Sequence, residues 1–311
     1  MIHADDVRAL WLRDDLEHIP AVIFVKPLGD AREVPYVSSS VETVLGCTKA
    51  EWLASSWWEE HLHPEDRDVV LAARQTLLVQ SSSTRLEYRM TTNDGRLIWI
   101  GEFTQVVTSG GTPWMLWGLL EDITVRKLAE EQLAFRASHD LLTGLPNRTT
   151  FEQHLDRALA RAVRGRLSVV LLSIDVDGVK EVSDRLGNDA GGQVLREVAE
   201  RVAGGVRETD VVARQGRGEF LVLLADIEPG PAGWLDDAST EPDPATAAAD
   251  MVTGRINEAM KAPVVVNDVA LEMTISVGRS IYPLHAADLG TLMATANAAM
   301  HRAKRSAHRE R

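Results

Sequence analysis

Arg207 and Asp210 stand three positions apart in Arg207-Glu208-Thr209-Asp210, and five residues separate Asp210 from Gly216. An arginine fork pairs with phosphate oxygens, and a carboxylate accepts from N–H groups. A plain surface salt bridge between the two is the competing use. Asp175 follows the apolar run Leu171-Leu172-Ser173-Ile174. Its carboxylate is the oxygen donor that a hard cation takes. The stretch Gly216-Arg217-Gly218-Glu219-Phe220 reads as a hairpin that carries one further carboxylate. His61 and His63 are imidazoles that could ligate haem, but Pro64 makes a helix start the expected use of that segment. Cys47 is the single cysteine, so there is no disulfide framework and a reducing compartment is expected. It reads as a small buried hydrophobe.

Length and composition bound what can position these residues. The chain has 311 residues and 45% hydrophobic content, enough for two domains with their own cores. A net charge of −13 argues against nucleic-acid or anionic-membrane surfaces. No stretch approaches the ~20 apolar residues of a spanning helix. No basic segment followed by an apolar run marks a leader. A cytoplasmic location is the expectation. Seven of the eight tryptophans lie before residue 120: Trp11, Trp52, Trp57, Trp58, Trp99, Trp114 and Trp117. They read as core rather than as a ligand cage.

The first half reads as an antiparallel sheet with helices on one face. Short strands at 21–26 and 34–38 precede a helix over 64–80, with Val69, Val70, Ala73 and Leu77 on one face. Three strands follow, at 85–91, 96–107 and 113–121. Asn93-Asp94-Gly95 and Ser109-Gly110-Gly111 supply the turns. Residues 125–138 form a charged helix whose stripe of Leu128, Leu133 and Phe135 is narrow, suited to pairing with a twin. The second half alternates helix and strand. Helices are expected at 148–164, 190–203, 247–261 and 289–304. Buried strands are expected at 167–174 and 220–224. A Pro/Asp/Ala-rich insert covers roughly 226–246. Val264–Val266 and Leu271–Ile281 are expected to pair around Asn267-Asp268. The fold class is α/β (α+β), with a mostly antiparallel central sheet wrapped by helices.

Several phrases in the first half resemble the PAS family: Leu62-His63-Pro64-Glu65-Asp66-Arg67, Leu86-Glu87-Tyr88-Arg89 with Asp94-Gly95, Trp99, and Asp122-Ile123-Thr124-Val125-Arg126-Lys127. The resemblance covers about 15–130. It implies a sensor or dimerisation domain and leaves the PAS ligand unknown. Cys47 lacks the neighbours of a flavin-adduct photosensor. The second half resembles the GGDEF (diguanylate cyclase) family over nearly all of 139–311. His139-Asp140, Thr143-Gly144-Leu145-Pro146-Asn147-Arg148, the Val212–Phe220 stretch, Thr274–Gly278, Tyr282-Pro283 and Ala303-Lys304 carry it. The implied organisation is a PAS domain over 1–124, a signalling helix over 125–138 and a GGDEF-like domain over 139–311.

Active members of that family condense two GTP into the bacterial second messenger cyclic di-GMP with Mg²⁺. The resemblance places one metal-binding carboxylate at Asp175 and the second at the third signature letter, here Gly218. The second letter, normally Gly, is Arg217. The fourth, Glu219, is kept, but alternation along a strand turns neighbours to opposite faces. The guanine readers align with Ser183 and Gly192. Losing both weakens binding by roughly 30- to 1,000-fold. Asn188, Asn297, His301 and His308 replace the family's usual residues, while Lys180 and Lys304 remain as phosphate contacts. Arg207, Asp210 and, less securely aligned, Arg255 match the family's inhibitory site, which binds cyclic di-GMP. The favoured expectation is a degenerate, non-catalytic cyclic di-GMP receptor or adaptor, dimeric through the PAS domain and linker helix, with protein partners in that signalling system. An active cyclase using GTP and Mg²⁺, and a nucleotide-free dimeric scaffold, are the alternatives.

Overall fold

The computed structural model describes residues 19–28, 35–54, 56–228 and 243–309. Trp11 and residues 229–242 of the Pro/Asp/Ala-rich insert lie outside the described residues. Two compact units divide at Gln132/Leu133, inside one helix. The chain is a mixture of helix and antiparallel sheet throughout.

In the first unit, β1 (Ala21–Pro27), β2 (Tyr36–Val37), β3 (Ser83–Thr91), β4 (Leu97–Ser109) and β5 (Thr112–Asp122) form a sheet in the order β2-β1-β5-β4-β3. The β4–β5 turn is Gly110-Gly111, with both φ values positive, which glycine adopts without a Cβ clash. Four helices follow β2: α1 (Ser40–Val44), α2 (Lys49–Leu53), α3 (Trp57–Glu60) and α4 (Pro64–Gln80). Thr48 and Glu51 form a capping box that starts α2. His63 caps α4 by accepting from the Glu65 N–H, and Pro64 fills the first helical turn. The expected apolar face of α4 needs one correction. Val70 and Leu77 are buried, but Val69 is 70% exposed. Successive helical residues lie about 100° apart, so Val70 takes the core and turns Val69 outward.

Helix α5 (Thr124–Ser138) continues from β5. Its Val125, Leu128, Leu133 and Phe135 are all exposed. No helix among the described residues is long and apolar enough to cross a membrane.

In the second unit, β6 (Ser168–Val176), β7 (Val211–Gly216), β8 (Glu219–Ile227) and β11 (Ile275–Tyr282) form an antiparallel sheet in the order β11-β6-β8-β7. Every residue of β6 is buried, because both faces are covered. Val170, Leu172 and Ile174 face the core that includes α8 (Asn188–Gly204) and α9 (Pro244–Met260). Val169 and Leu171 face the core of α6 (Arg148–Gly165) and α10 (Leu289–Arg309). The short helix α7 (Val179–Leu186) lies between β6 and α8 in the chain.

The expected pairing of Val264–Val266 with a long strand from Leu271 is corrected. β9 (Val264–Val266) pairs only with β10 (Val269–Leu271) across Asn267 and Asp268, both at positive φ. Ile275–Tyr282 is a separate strand whose ladder is with β6. Asp226, on β8, pairs with Arg161, and Asp250, in α9, pairs with Arg279.

Candidate functional site

Asp175 stands opposite Glu219 on β8 and opposite Ser276 on β11. In-register neighbours share a face of the sheet. The two carboxylates therefore project together, on the face of Leu171, Leu221 and Leu223 that α10 covers. This corrects the expectation for Glu219. Alternation does turn it away from Gly218, but Glu219 is the residue that shares the face of Asp175. Gly218 looks elsewhere: a Cβ there would sit 3.3 Å from the Val176 carbonyl oxygen, at the β6–α7 turn. The Gly218 carbonyl accepts from the Val176 N–H at 2.9 Å.

Lys304 of α10 donates to the Asp175 carboxylate. Burial works to lower the Lys304 amine's pKa, but the bond to Asp175 and the charges of Asp175, Asp177 and Glu219 outweigh it and raise it. Asp177 accepts from Thr274 Oγ1 at 2.9 Å and from Ser276 Oγ at 3.4 Å. Asp175 is held by the Lys304 ammonium and position 218 has no side chain, so Asp175 and Glu219 are the carboxylates that would hold a Mg²⁺ here.

The signature hairpin closes through Gly216 paired with Glu219, leaving Arg217 and Gly218 as the turn. Arg217 lies at φ +39°, the left-handed region that disfavours a Cβ. Its carbonyl accepts from Arg214 Nη2 at 2.8 Å. Arg214 is nearly buried and binds both oxygens of Asp140, at 2.8 and 3.0 Å. Its backbone N–H donates to Pro146. Asp140 also accepts from the Thr143 N–H and hydroxyl. Burial alone would raise the Asp140 pKa, but the Arg214 and Thr143 bonds bring it below the ordinary carboxylate value. The His139–Arg148 motif and the signature hairpin are thus joined by one ion pair. Nothing local in the sequence links the two residues, which stand 74 positions apart.

The hydroxyl at the first aligned guanine-reading position is engaged within its own helix, and the second position has no side chain. Ser183 Oγ donates back to the Val179 carbonyl, and a Cβ on Gly191 would meet that oxygen at 2.1 Å. At Gly192, a Cβ would lie 3.3 Å from Leu142 Cδ1. The signal missed was Leu142, an apolar residue directly after the Asp140-Leu141 pair. Lys180 is exposed at the start of α7.

Arg207, Asp210 and Arg255 come together. All three line one cavity of about 420 Å³ beside the end of β8 and the start of α9. Asp210 does not pair with the Arg207 guanidinium. One of its oxygens accepts from the Arg207 backbone N–H at 2.9 Å, which fixes the turn and leaves the long side chain outside it. Among the described residues neither the Arg207 nor the Arg255 guanidinium has a hydrogen-bond or ion-pair partner. Two uncompensated guanidinium groups and a carboxylate on one wall can hold an anion that also carries N–H donors.

The haem reading of the first unit finds a structural use for each imidazole. His63 caps α4, and His61 stacks on Trp57 with centroids 3.9 Å apart. Cys47 is 1% exposed, and its thiol is pushed up to about 12, chiefly by burial.

Comparison with known proteins agrees with these two halves. Residues 137–310 match the family described as diguanylate cyclase, GGDEF domain, and residues 34–119 match the PAS fold. A diguanylate cyclase of Pseudomonas aeruginosa, TpbB, is 40% identical over 180 residues, covering 58% of this chain and 38% of that protein. The chain thus spans about two fifths of the length of that relative. A solved TpbB fragment comprising only the GGDEF domain is 40% identical, with a TM-score of 0.47, covering 54% of this chain and 89% of that one. The coiled coil and GGDEF domain of DgcB from Caulobacter crescentus, solved in complex with c-di-GMP, is 26% identical, with a TM-score of 0.47, covering 58% and 89%.

Proposed function

Because the chain belongs to the GGDEF diguanylate cyclase family and carries a PAS-fold region ahead of that domain, we propose that it is a cyclic di-GMP receptor or adaptor whose own cyclase site is silent. The observation that carries the reading is the shared cavity of Arg207, Asp210 and Arg255, with both guanidinium groups unpartnered among the described residues. Arg forks suit the phosphates and the Hoogsteen edge of guanine, and Asp210 suits the guanine N–H groups. The cyclase positions support the same reading from the other side. Gly218 offers no carboxylate, Gly192 no side chain, and Lys304 holds Asp175.

The PAS domain over 1–124 is the input, the helix over 125–138 the connector, and the domain over 139–311 the output. The exposed Val125, Leu128, Leu133 and Phe135 support homodimerisation through that helix. The protein acts in the cytoplasm on protein partners in cyclic di-GMP signalling.

Calorimetry with cyclic di-GMP tests the reading. Micromolar binding by the full chain, abolished in Arg207→Ala, is expected. No binding at high ligand concentration sinks it.

A second reading, an active cyclase, is favoured by one observation: Glu219 shares the face of Asp175. Incubation with GTP and Mg²⁺ or Mn²⁺ separates the two. The receptor reading expects no product from the wild type, and some from Ser183→Asn, Gly192→Asp, Arg217→Gly, Gly218→Asp combined. Product from the wild type establishes the cyclase instead.

A further inference from the structure

The PAS-fold unit contains a cavity of about 620 Å³, bounded by β1, β5 and the helices α2–α4. Phe24, Trp52, Trp58, Leu71 and Leu116 are among its lining residues. Arg74 of α4 also lines it. Lys26, Glu59 and Gln75 are the other charged or amide side chains of the lining, and Arg74 is the one guanidinium set against its aromatic rings, where a partly buried charge is costly unless it is paired.

Its pairing is with Glu102. That residue points inward from β4, its side chain is only 1% exposed, and it accepts from Arg74 Nη2. Thr104 Oγ1 donates to the same Glu102 oxygen. The other oxygen accepts from Tyr88 Oη at 2.5 Å, and Tyr88 in turn accepts from Trp58 Nε1 at 3.0 Å. Burial first, and then the neighbouring Glu102 charge, push the Tyr88 phenol well above its ordinary value, so it remains a donor. Both Glu102 oxygens are thus engaged inside the fold. The network fixes Arg74 from behind and stacks its guanidinium 3.6 Å over the Trp58 ring.

The pairing uses one of Arg74's five N–H donors. Among the described residues, Nε and Nη1 bond to nothing. The side chain lines the cavity and is 21% exposed, so these donors are open to solvent there. A ligand that displaces that water must return acceptors to them, or leave them unsatisfied at a cost. A carboxylate does so best, since its two oxygens match a guanidinium edge. The ring-rich lining favours a flat apolar body. The volume is that of an ordinary small-molecule site.

We infer that the PAS-fold unit binds a small aromatic carboxylate, with its ring among Phe24, Trp52 and Trp58 and its carboxylate on the unused donors of Arg74. The assignment is independent of the nucleotide chemistry of the second unit.

Calorimetry on the full chain, with tryptophan fluorescence as a second readout, compares 1-naphthoate with 1-naphthamide and with butyrate. Saturable naphthoate binding is expected, with the amide and the aliphatic acid each at least about tenfold weaker. Arg74→Gln alone leaves Glu102 without its ion pair, so the variant used is R74Q/E102Q, which removes both charges. It is expected to keep the far-UV circular dichroism of the wild type and to lose naphthoate binding at least about tenfold. Three results overturn the inference: no saturable naphthoate binding at millimolar concentration, equal binding of acid and amide, or wild-type naphthoate affinity in the folded double variant. If the double variant does not fold, the acid-against-amide comparison on the wild type decides alone.

Discussion

Asp175 and Glu219 face each other across β6 and β8, and Lys304 of α10 closes on Asp175 from the covering helix. Lys304 and Asp175 form the ion pair, while Glu219 accepts from the Gln215 amide and acts on the amine only through its charge. Removing the lysine shows how much it holds. Lys304→Met leaves the nearly buried Asp175 without its charged donor, a loss of about 1–3 kcal/mol. Urea unfolding is expected to record that loss, with most of it recovered in Lys304→Met/Asp175→Asn. An unchanged midpoint for the single variant would show that the pair contributes nothing.

The hairpin carries its own strain. Arg217 at φ +39° pays about 1–2 kcal/mol for its Cβ, while a glycine there loses about 0.5–1 kcal/mol in chain entropy. Arg217→Gly is therefore expected to stabilise the chain by up to about 1.5 kcal/mol. A lower urea midpoint in the variant would mean that the Arg217 side chain makes a contact worth more than the strain.

Asp140 ties stability to acid pH. Its carboxyl is held below the ordinary value, with Arg214 and Thr143 outweighing burial. A depressed folded value contributes stability above the ordinary pKa near 3.8, and that contribution is lost as pH falls through the lower, folded value. Asp140→Asn is expected to cost roughly 2–4 kcal/mol at neutral pH, because Arg214 keeps a nearly buried charge. Its melting temperature is also expected to fall less steeply than the wild type's below about pH 5. Parallel acid limbs in the two proteins would assign the slope to other carboxyls.

Cys47 gives a test of the first unit. With its thiol pushed up to about 12, only about one part in ten thousand is thiolate at pH 8. A disulfide reagent such as DTNB is expected to leave the folded protein unlabelled and to titrate one thiol in urea. Rapid labelling of the native protein would mean that the core around Cys47 and Leu45 opens.

Much of this fold was legible because its signals are local. Gly110-Gly111, Pro64 and the unbroken apolar run of β6 each act within a few residues. What sequence order concealed were facts set by partners far along the chain. Val69 and Val70 are equally apolar, and only packing decides which is buried. Leu271 and Ile275 look like one strand until β6 claims the second part. Glu219 appeared turned away because alternation was counted from Gly218, whereas the β6 register is what sets its face. Arg207 and Arg255 were found by spacing and alignment, and their meeting in one cavity is a tertiary fact.

Arg255 is the residue on which the receptor reading is most exposed, because it comes from α9, whereas Arg207 and Asp210 lie in the turn between α8 and β7. A charge-assisted hydrogen bond is worth about 1.5–3 kcal/mol, or roughly 10- to 150-fold in affinity. Arg255→Ala is expected to weaken cyclic di-GMP binding by that factor, short of the complete loss expected for Arg207→Ala. Its melting temperature without ligand should be unchanged, since the side chain is exposed and has no partner among the described residues. Binding also has to weaken with salt, as contacts from two guanidinium groups to phosphate are screened. If Arg255→Ala binds as tightly as the wild type while Arg207→Ala does not, the ligand sits on the Arg207-Asp210 turn alone, and the cavity between β8 and α9 is not its site.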